Sequence, residues 1–527
     1  MRLPTFLLLS TMLVTASCSD DVAPAIASDS GAGGGAGTSA GGASTGGSAG
    51  APAGGAAGTS AGGSGGGVTP PPVPDTCTPP ASLVDVSSPT TVVGSGAGTC
   101  SESLLDAAVA AGGIITFNCG TSPATITVTT PKTITATTVL DGGGLVTLSG
   151  GGTTRLFVIK SEVDFTVQRI TLADAKVSGG GSPSEDNSGA AIYRQSGSRL
   201  VVIDSTFKNN HAGQSGNDIA GGAIYSYGGD TLITGSTFDG NSASSGGSIG
   251  NLRSNLTIVN STFVNNRASS QGGGAIALDG QNMDHGKVFT LCGVIATNNQ
   301  AVTEGGAVYR YGYPEESTVI DSCTFDSNTA PDGGGMYHHT DTAGAMPLTL
   351  TNSTLSNNTG NGLTVHNSPI SLTNVTIANN TTPSLGAGIA AFGVPGTIKN
   401  CTIASNTAMF AAGILDGDQL SITNTILANT ATNEWNPVNC RPTSSTGDHN
   451  IQFPAKQGGG SDDTPCAPTV TFADPLLGLL QDNGGPTWTM ALGSGSPAIG
   501  AGADCPATDQ RGHARQGGCD IGAFQHD

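Results

Sequence analysis

Short apolar runs alternate with polar corners through residues 190 to 430. Segments such as NLTIVNSTF (255–263) and GGAIAL (273–278) have the two-residue alternation of strands and lack helical periodicity. An apolar residue followed three positions later by asparagine recurs at spacings of 22 to 32 residues, which predicts a solenoid of short parallel strands. The aligned pairs are Phe207/Asn210, Phe238/Asn241, Phe263/Asn266, Ile295/Asn298, Phe325/Asn328, Leu355/Asn358, Ile377/Asn380, Ile403/Asn406 and Ile426/Asn429.

Two residue types in the repeat have predicted structural roles. An inward asparagine at a sharp turn tolerates left-handed backbone geometry and forms a hydrogen-bonded ladder with its equivalents in the neighbouring coils. Paired glycines such as Gly273-Gly274 provide the other tight corner. We expect about 10–12 coils from strand spacing and repeat length, with four rings stacked in the interior. These rings are Phe207, Phe238, Phe263 and Phe325.

A helix is predicted ahead of the first coil, in TCSESLLDAAVAAGG (99–113). Thr99 is the expected N-cap because Glu102 follows three residues later, as in a capping box. Leu104, Leu105 and Val109 then share one face. We expect this helix to cover the open end of the solenoid.

The composition and charge exclude several classes of protein. The chain has 82 glycines, 11% charged and 4% aromatic residues, and this composition is not that of several ordinary globular domains. The net charge of −20 lacks any basic stripe, so nucleic acid is not an expected partner. No cofactor is indicated; calcium is the one ion that this acidity suits, although solubility is the simpler explanation.

The first 18 residues predict export. Arg2 precedes an apolar stretch from Phe6 to Val14 that is too short to span a bilayer. The sequence VTASC (14–18) resembles a bacterial lipobox, which implies that Cys18 carries lipid and that the protein is anchored at the outer membrane or cell surface through this lipid only. The alternative is an ordinary signal peptide cleaved elsewhere.

A tether is predicted between the signal peptide and the folded region. Residues 28–67 are almost entirely Gly, Ala, Ser and Thr, and a proline-rich stretch follows. Such a composition cannot bury enough apolar surface to order the chain. The predicted divisions are a signal peptide (1–18), a tether (19–80), a β-helix with its N-terminal cap (81–455) and a C-terminal region (456–527).

Disulfide bonds are expected because ten of the eleven cysteines remain when Cys18 is set aside, and the protein is exported. Each of the first two expected pairs closes a short, turn-rich loop, and the third joins adjacent coils. The other four cysteines cannot be paired from sequence. The expected pairs are Cys505 with Cys519, Cys440 with Cys466, and Cys292 with Cys323.

Two sets of motifs resemble known families. The alternation of GGAI with STFxxN is similar to the repeats of chlamydial polymorphic outer-membrane proteins, within the pectate-lyase-like superfamily. This resemblance implies a single right-handed parallel β-helix. Together with the helix and disulfides expected from the residues, the predicted fold is all-β, with an N-terminal capping helix and a disulfide-stapled C-terminal cap. The motifs NGGPT, GSPAIGAG, DQRG and CDIGAF resemble the choice-of-anchor Q domain of bacterial surface proteins, although Gly500 and Gln525 replace the usual Asp and Glu. That domain implies a surface or secreted location and no reaction.

Candidate catalytic groups are present without a compact cluster, so no catalytic residue is assigned. A lyase of this superfamily would need carboxylates from neighbouring coils around calcium, with an Arg or Lys as base. His338 and His339 are expected on opposite faces of a strand, so no metal site is assigned with Asp341. The scattered candidates are Asp279, Asp284, Asp321, Asp326, Asp332, Arg194, Arg253, Arg267 and Arg310.

Tyrosines form the strongest functional pattern, because all seven follow the glycine corners. Strand alternation places Tyr225, Tyr227, Tyr309 and Tyr311 outward on one side, which suits contact with glycans or a protein. The alternative is that they merely cover the strand, since Gly250 and Ala277 interrupt the column. The candidate binding residues are Tyr193, Tyr225, Tyr227, Tyr309, Tyr311 and Tyr337.

The sequence therefore favours a lipid-anchored surface protein that acts in adhesion, glycan or partner binding, or an envelope role. Its expected partner is a polysaccharide or a surface protein. The alternative is a polysaccharide lyase or glycoside hydrolase with diverged motifs.

Overall fold

A computed structural model describes residues 77–280, 288–515 and 518–526 of the protein. Cys18, the signal peptide, Asp284 and nearly all of the predicted tether lie outside the described residues.

Each turn of the chain contributes one strand to each of three parallel sheets, which we name A, B and C in the order in which a turn passes through them. Sheet A contains Thr91–Val93, Gly113–Phe117, Thr138–Asp141, Phe165–Gln168, Arg199–Ile203, Asp230–Thr234, Asn255–Val259, Val288–Cys292, Ser317–Asp321, Leu348–Thr351, Ile370–Thr373, Gly396–Lys399 and Leu420–Thr423. Sheet B contains Ala124–Thr127, Val146–Ser149, Thr171–Ala173, Thr206–Lys208, Thr237–Asp239, Thr262–Val264, Ile295–Thr297, Thr324–Asp326, Thr354–Ser356, Thr376–Ala378, Thr402–Ala408, Ile426–Ala431, Asn450–Phe453 and Val470–Phe472. Sheet C contains Lys132–Ile134, Phe157–Ile159, Ile192–Arg194, Ile224–Tyr227, Ile249–Leu252, Ile276–Asp279, Val308–Gly312, Met336–Thr340, Leu363–His366, Ile389–Phe392, Ile414–Leu415 and Cys440–Arg441.

Two smaller sheets complete the strands of the described residues. A three-stranded parallel sheet follows sheet B in three successive turns, and a two-stranded antiparallel hairpin lies near the C-terminus. The three strands are Ser242–Ala243, Arg267–Ala268 and Gln300–Ala301, and the hairpin pairs Leu477–Gln481 with Thr489–Leu492.

The all-β parallel solenoid is confirmed, with about 14 turns rather than ten to twelve. The number is larger because regular pairing begins at Thr91 and continues to Phe472, on both sides of the recognisable repeats. In those outer turns the strands keep the register although the asparagine and glycine motifs are absent from the sequence.

A ladder of buried asparagines links the turns. Asn266 illustrates the pattern: its backbone N–H and its side-chain Nδ2 both donate to Oδ1 of Asn299, at 3.0 and 2.9 Å. Its own Oδ1 accepts the same two bonds from Asn241. The ladder consists of Asn210, Asn241, Asn266, Asn299, Asn328, Asn358, Asn380, Asn406, Asn429 and Asn439, and it ends on the carboxylate of Asp463.

The predicted left-handed geometry lies one residue before the ladder, not on it. Asn265 has a φ of 58° and is exposed, whereas its neighbour Asn266 is buried and has ordinary backbone geometry. Asn298 likewise turns the chain, and Asn299 joins the ladder in its place. One residue bends the corner and the next bonds inward, because a single residue cannot hold both geometries.

The interior phenylalanine stack is shorter than expected. Phe207, Phe238 and Phe263 stack with ring centroids 4.7 Å apart. Ala296, not Ile295, follows Phe263 in register, so it separates Phe263 from Phe325. The same one-residue misalignment accounts for Asn298.

The predicted helix is Glu102–Ala111, which begins later than the capping box implied. Ser101, not Thr99, is the N-cap and accepts from the N–H of Leu104 at 3.4 Å. The Glu102 carboxylate instead accepts from Lys132 at 2.6 Å, so it is not available to complete the box. Leu105 and Val109 are buried, whereas Leu104 is exposed.

Four disulfide bonds are present among the described residues: Cys77–Cys292, Cys100–Cys119, Cys440–Cys466 and Cys505–Cys519. The last two are the expected pairs for short loops, but the predicted bond between Cys292 and Cys323 is wrong. Cys323 points into the core, where its Sγ accepts from the N–H of Val294 at 3.4 Å and burial raises its pKa to about 12. Cys323 and Cys401 are free, buried thiols.

Two chain segments cover the corner between sheets A and B. Near the N-terminus, Cys77 bonds to Cys292, and the backbone of Val84 exchanges hydrogen bonds with the side chain of Gln168. Residues 484–515 and 518–526 cover the later turns, where the backbone carbonyl of Trp488 accepts from the Thr354 hydroxyl. This C-terminal segment therefore packs on the side of the solenoid, and the Cys440–Cys466 loop with Asp463 covers its last turn.

No described helix combines the length and apolar character that a bilayer-spanning helix needs.

The ladder predicts an asymmetry between two adjacent asparagines. Asn266→Ala should lower the free energy of unfolding by roughly 2 to 4 kcal/mol, because it leaves buried donors on Asn241 and the carbonyl of Phe238 unpaired. Asn265→Gly is the control, since glycine adopts the same left-handed geometry. Urea denaturation midpoints compare the two, and equal losses would contradict the assigned roles.

Candidate functional site

The outward face of sheet C carries two columns of aromatic residues, built by parallel pairing in register. The first column contains two stacked tyrosine pairs: Tyr193 with Tyr225 at 5.3 Å between centroids, and Tyr309 with Tyr337 at 5.7 Å. Its members in order are Tyr193, Tyr225, Gly250, Ala277, Tyr309, Tyr337 and Thr364. The second column contains Tyr227, Leu252, Asp279, Tyr311, His339, His366 and Phe392.

A cavity of about 310 Å³ occupies the break in the first column. Tyr225 and Tyr309 line its two ends, and Ala277 lies between them. Their strands are three spacings apart, about 14 Å. Each of the two tyrosines has one ring face against its stacking partner; Tyr309 is partly exposed, whereas Tyr225 is buried. The interruption of the sequence pattern therefore coincides with this cavity.

The gap is held open by a close approach of the backbone. A Cβ at Gly250 would lie 2.2 Å from the Cβ of Ala220, so no larger side chain fits there. Residues 213–220 bring Ala220 to this point, and the hydroxyls of Ser269 and Ser270 donate to the carbonyl of Gln214 at 2.7 and 2.8 Å. Two corner loops that are two turns apart thus form one wall.

Three carboxylates give the cavity a negative charge: Asp218, Asp279 and Glu304. Among the described residues, no Lys, Arg or His forms an ion pair with any of them. Burial and the nearby charge of Asp218 raise the pKa of Asp279, although a hydrogen bond from the Tyr313 hydroxyl at 3.2 Å opposes the shift. Burial also raises the pKa of the Tyr225 and Tyr309 phenols, which stay protonated.

The predicted tyrosines have different positions on this face. Tyr225 and Tyr309 line the cavity, while Tyr193 and Tyr337 stack behind them. Tyr225 is only 2% exposed, because the corner loops cover a side chain that alternation alone places in solvent. Tyr227 and Tyr311 lie in the second column, where the Tyr311 hydroxyl donates to Asp341.

The sequence did not identify Asp218 or Glu304. Both lie in corner loops beside glycines, and only the stacking of turns brings them to Asp279. The sequence did hold one signal: a polar residue that lies within two or three positions of a glycine corner, in a turn where a small residue occupies the column position.

Four of the scattered lyase candidates serve structural roles. Asp321 and Asp326 accept hydrogen bonds from residues one turn on, including Asn352 and Asn357. Arg194 and Arg310 are fully buried in the interior, where Arg310 pairs with Glu316 at 2.5 Å.

The two adjacent histidines lie on opposite sides of their strand. His338 points inward to Thr318 at 3.0 Å, while His339 belongs to the outer column. Among the described residues, the one set of three ligand-type atoms within 4.8 Å of each other is Cys77, Cys292 and Asp321, and its two sulfurs are bonded together.

Comparison with known proteins identifies the handedness of the solenoid. Residues 311–436 match a family model described as a right handed beta helix region. The solenoid is a right-handed parallel β-helix. Among solved structures it is similar to the A-module of mannuronan C-5 epimerase AlgE6 from Azotobacter vinelandii, at 14% identity over 67% of this chain and 95% of that one, with a TM-score of 0.40. No curated protein sequence matches the chain.

The raised pKa of Asp279 predicts a stability cost that depends on pH. A folded-state pKa above the unfolded value means that ionised Asp279 destabilises the fold once pH rises through that pKa. Asp279→Asn should therefore raise the denaturation midpoint at about pH 7. The gain should shrink as pH falls through the folded-state pKa and vanish below about pH 4, where the carboxyl is protonated in both the folded and the unfolded states. Asp418→Asn, an exposed substitution outside the cavity, is the control. A loss of stability at neutral pH would contradict the assignment.

Proposed function

We propose that this protein is a lipid-anchored surface protein whose sheet C face binds glycan chains, with the cavity between Tyr225 and Tyr309 as the central subsite. The observation that carries the proposal is the cavity at the break in the first aromatic column, which Tyr225 and Tyr309 line and where Tyr309 is the more exposed ring. Aromatic faces pack against the apolar faces of sugar rings, and carboxylates accept bonds from sugar hydroxyls.

The long face of sheet C suits an extended ligand. Beyond the cavity, an aromatic cluster continues through Tyr311, His339, His366 and Phe392, with His366 stacked on Phe392 at 4.6 Å. The corner between sheets A and B is covered by the chain's own terminal segments, so it offers less backbone and side-chain surface to a partner.

Charge favours a neutral or cationic glycan over a uronic acid polymer. The cavity carries three carboxylates, and the whole chain has a net charge of −20. A polyanion would be repelled at this site unless a divalent cation bridged the two.

The position of Cys77 supports a role for the tether in display. Its bond to Cys292 ties the described chain to the eighth of the thirteen strands of sheet A, part-way along the solenoid. That attachment lies at the corner between sheets A and B, the one corner of the solenoid that sheet C does not border. A membrane tether entering at Cys77 would leave sheet C facing away from the attachment point.

A polysaccharide hydrolase or lyase is the second candidate. Asp279, with its raised pKa, lies with Asp218 in one cavity, as a paired-carboxylate mechanism would need. The same experiment tests both candidates because it follows retention and cleavage together.

The glycan proposal predicts tyrosine-dependent retention without cleavage. Purified protein is incubated with neutral, amino-sugar and uronic acid polysaccharides, with and without calcium. Tyr309→Ala removes one wall and Ala277→Tyr fills the gap, so each should weaken binding by roughly tenfold. Trp435→Ala is the control, since Trp435 is 67% exposed and does not line the cavity.

Denaturation midpoints confirm that the variants fold. New reducing or unsaturated chain ends that are lost in Asp279→Asn or on chelation would show that the protein cleaves the polysaccharide, and the binding proposal would give way to catalysis. Retention that neither cavity variant changes would place any glycan site elsewhere.

The lipid-anchor proposal predicts that membrane association depends on Cys18 alone. In a lipoprotein-processing bacterial host, the wild-type protein should incorporate labelled palmitate and partition with membranes, because Cys18 lies at the end of the lipobox-like motif. Cys18→Ser should do neither. Membrane association that persists without Cys18 would overturn the anchor.

A further inference from the structure

We propose that the cavity between Tyr225 and Tyr309 binds a cationic group, the ammonium of an amino sugar in the glycan. This inference rests on the proposed glycan function and names the class of sugar that the central subsite takes. It predicts a preference for free amino sugars over their N-acetylated forms.

The carboxylates of the cavity lack a positive partner. Asp218, Asp279 and Glu304 line one cavity of about 310 Å³, and none forms an ion pair with a described Lys, Arg or His. Two buried acids outside the cavity have such a partner: Asp141 pairs with Arg169, and Glu316 pairs with Arg310. An uncompensated negative cavity therefore suits a ligand that brings the missing positive charge.

The tyrosine walls favour the same ligand. Tyr193 and Tyr337 occupy one face of Tyr225 and Tyr309 respectively, with interplanar angles of 10° and 7°. Both tyrosines line the cavity, and Tyr309 is the more exposed of the two rings. An ammonium over the face of an aromatic ring is attracted by its quadrupole, and the sugar ring that carries it packs on the same face.

The spacing of the carboxylates argues for an organic cation rather than a metal ion. Ligand atoms of Asp218, Asp279 and Glu304 do not lie within 4.8 Å of one another as a set of three. A small divalent ion needs such convergence of oxygen ligands. An ammonium with hydroxyls on neighbouring carbons instead offers several donors spread over a sugar ring.

The titration of Asp279 is consistent with this geometry. Burial first, and then the charge of Asp218, raise its pKa in the unliganded protein. A cation in the cavity would reverse both effects by pairing with the carboxylate.

The test compares glucosamine and N-acetylglucosamine oligosaccharides of equal length by calorimetry on the full protein. The glucosamine oligomer should bind roughly tenfold more tightly, and this advantage should shrink as salt rises. Asp279→Asn with Glu304→Gln should abolish the preference while retaining binding of the acetylated oligomer. Asp418→Asn removes one exposed charge away from the cavity and should change neither affinity.

The outcomes separate this inference from the function on which it rests. Equal, tyrosine-dependent binding of both oligomers would overturn the cation subsite and leave glycan binding intact. The cation subsite would also be overturned if Asp418→Asn weakened the preference for the glucosamine oligomer as much as the cavity substitutions do. Attraction to the net charge of the protein would then be enough to explain the preference. Binding of neither oligomer, with no retention of any polysaccharide, would overturn the glycan function itself.

Discussion

The stacking of one turn directly on the next is the constraint on which the structure depends. Between Asn210 and Asn439 the asparagine ladder enforces it, because each asparagine side chain accepts from the backbone N–H of the preceding asparagine and donates to a carbonyl of the preceding turn. A turn displaced by one residue would leave these buried groups unpaired. Loops at the corners vary in length without disturbing the strands, since the rungs hold these turns in the same register.

Strict stacking turns each position of the repeat into a column, and a column can carry either structure or function. Inside, the columns are phenylalanines, asparagines and hydroxyl or thiol groups that bond along the axis. Outside, on sheet C, the column is aromatic, and two small residues open a gap in it. The cavity is thus an interruption of a repeat: Gly250 and Ala277 take the place of two rings, and corner loops three turns apart bring in Asp218 and Glu304.

The covalent bonds and the terminal segments divide the surface of the solenoid. Cys77–Cys292 and the described residues 484–515 and 518–526 cover the corner between sheets A and B, and Cys440–Cys466 closes the last turn. These additions protect regions where a solenoid would otherwise expose unpaired backbone and small residues. Sheet C keeps its side chains available, and its aromatic columns are continuous with the cavity.

The sequence by itself determined the parallel solenoid, the inward asparagines and the two short-loop disulfides, Cys440–Cys466 and Cys505–Cys519. Those features follow from residues close together in the chain or repeated at one spacing, so alternation and turn chemistry suffice to predict them. It misplaced Asn299, the helix N-cap and the partner of Cys292, because each is decided by a residue one turn or more away. The cavity could not be predicted from the sequence for the same reason. Asp218, Asp279 and Glu304 are separated by 61 and 25 residues, and only the packing of corner loops of unequal length brings them to one gap.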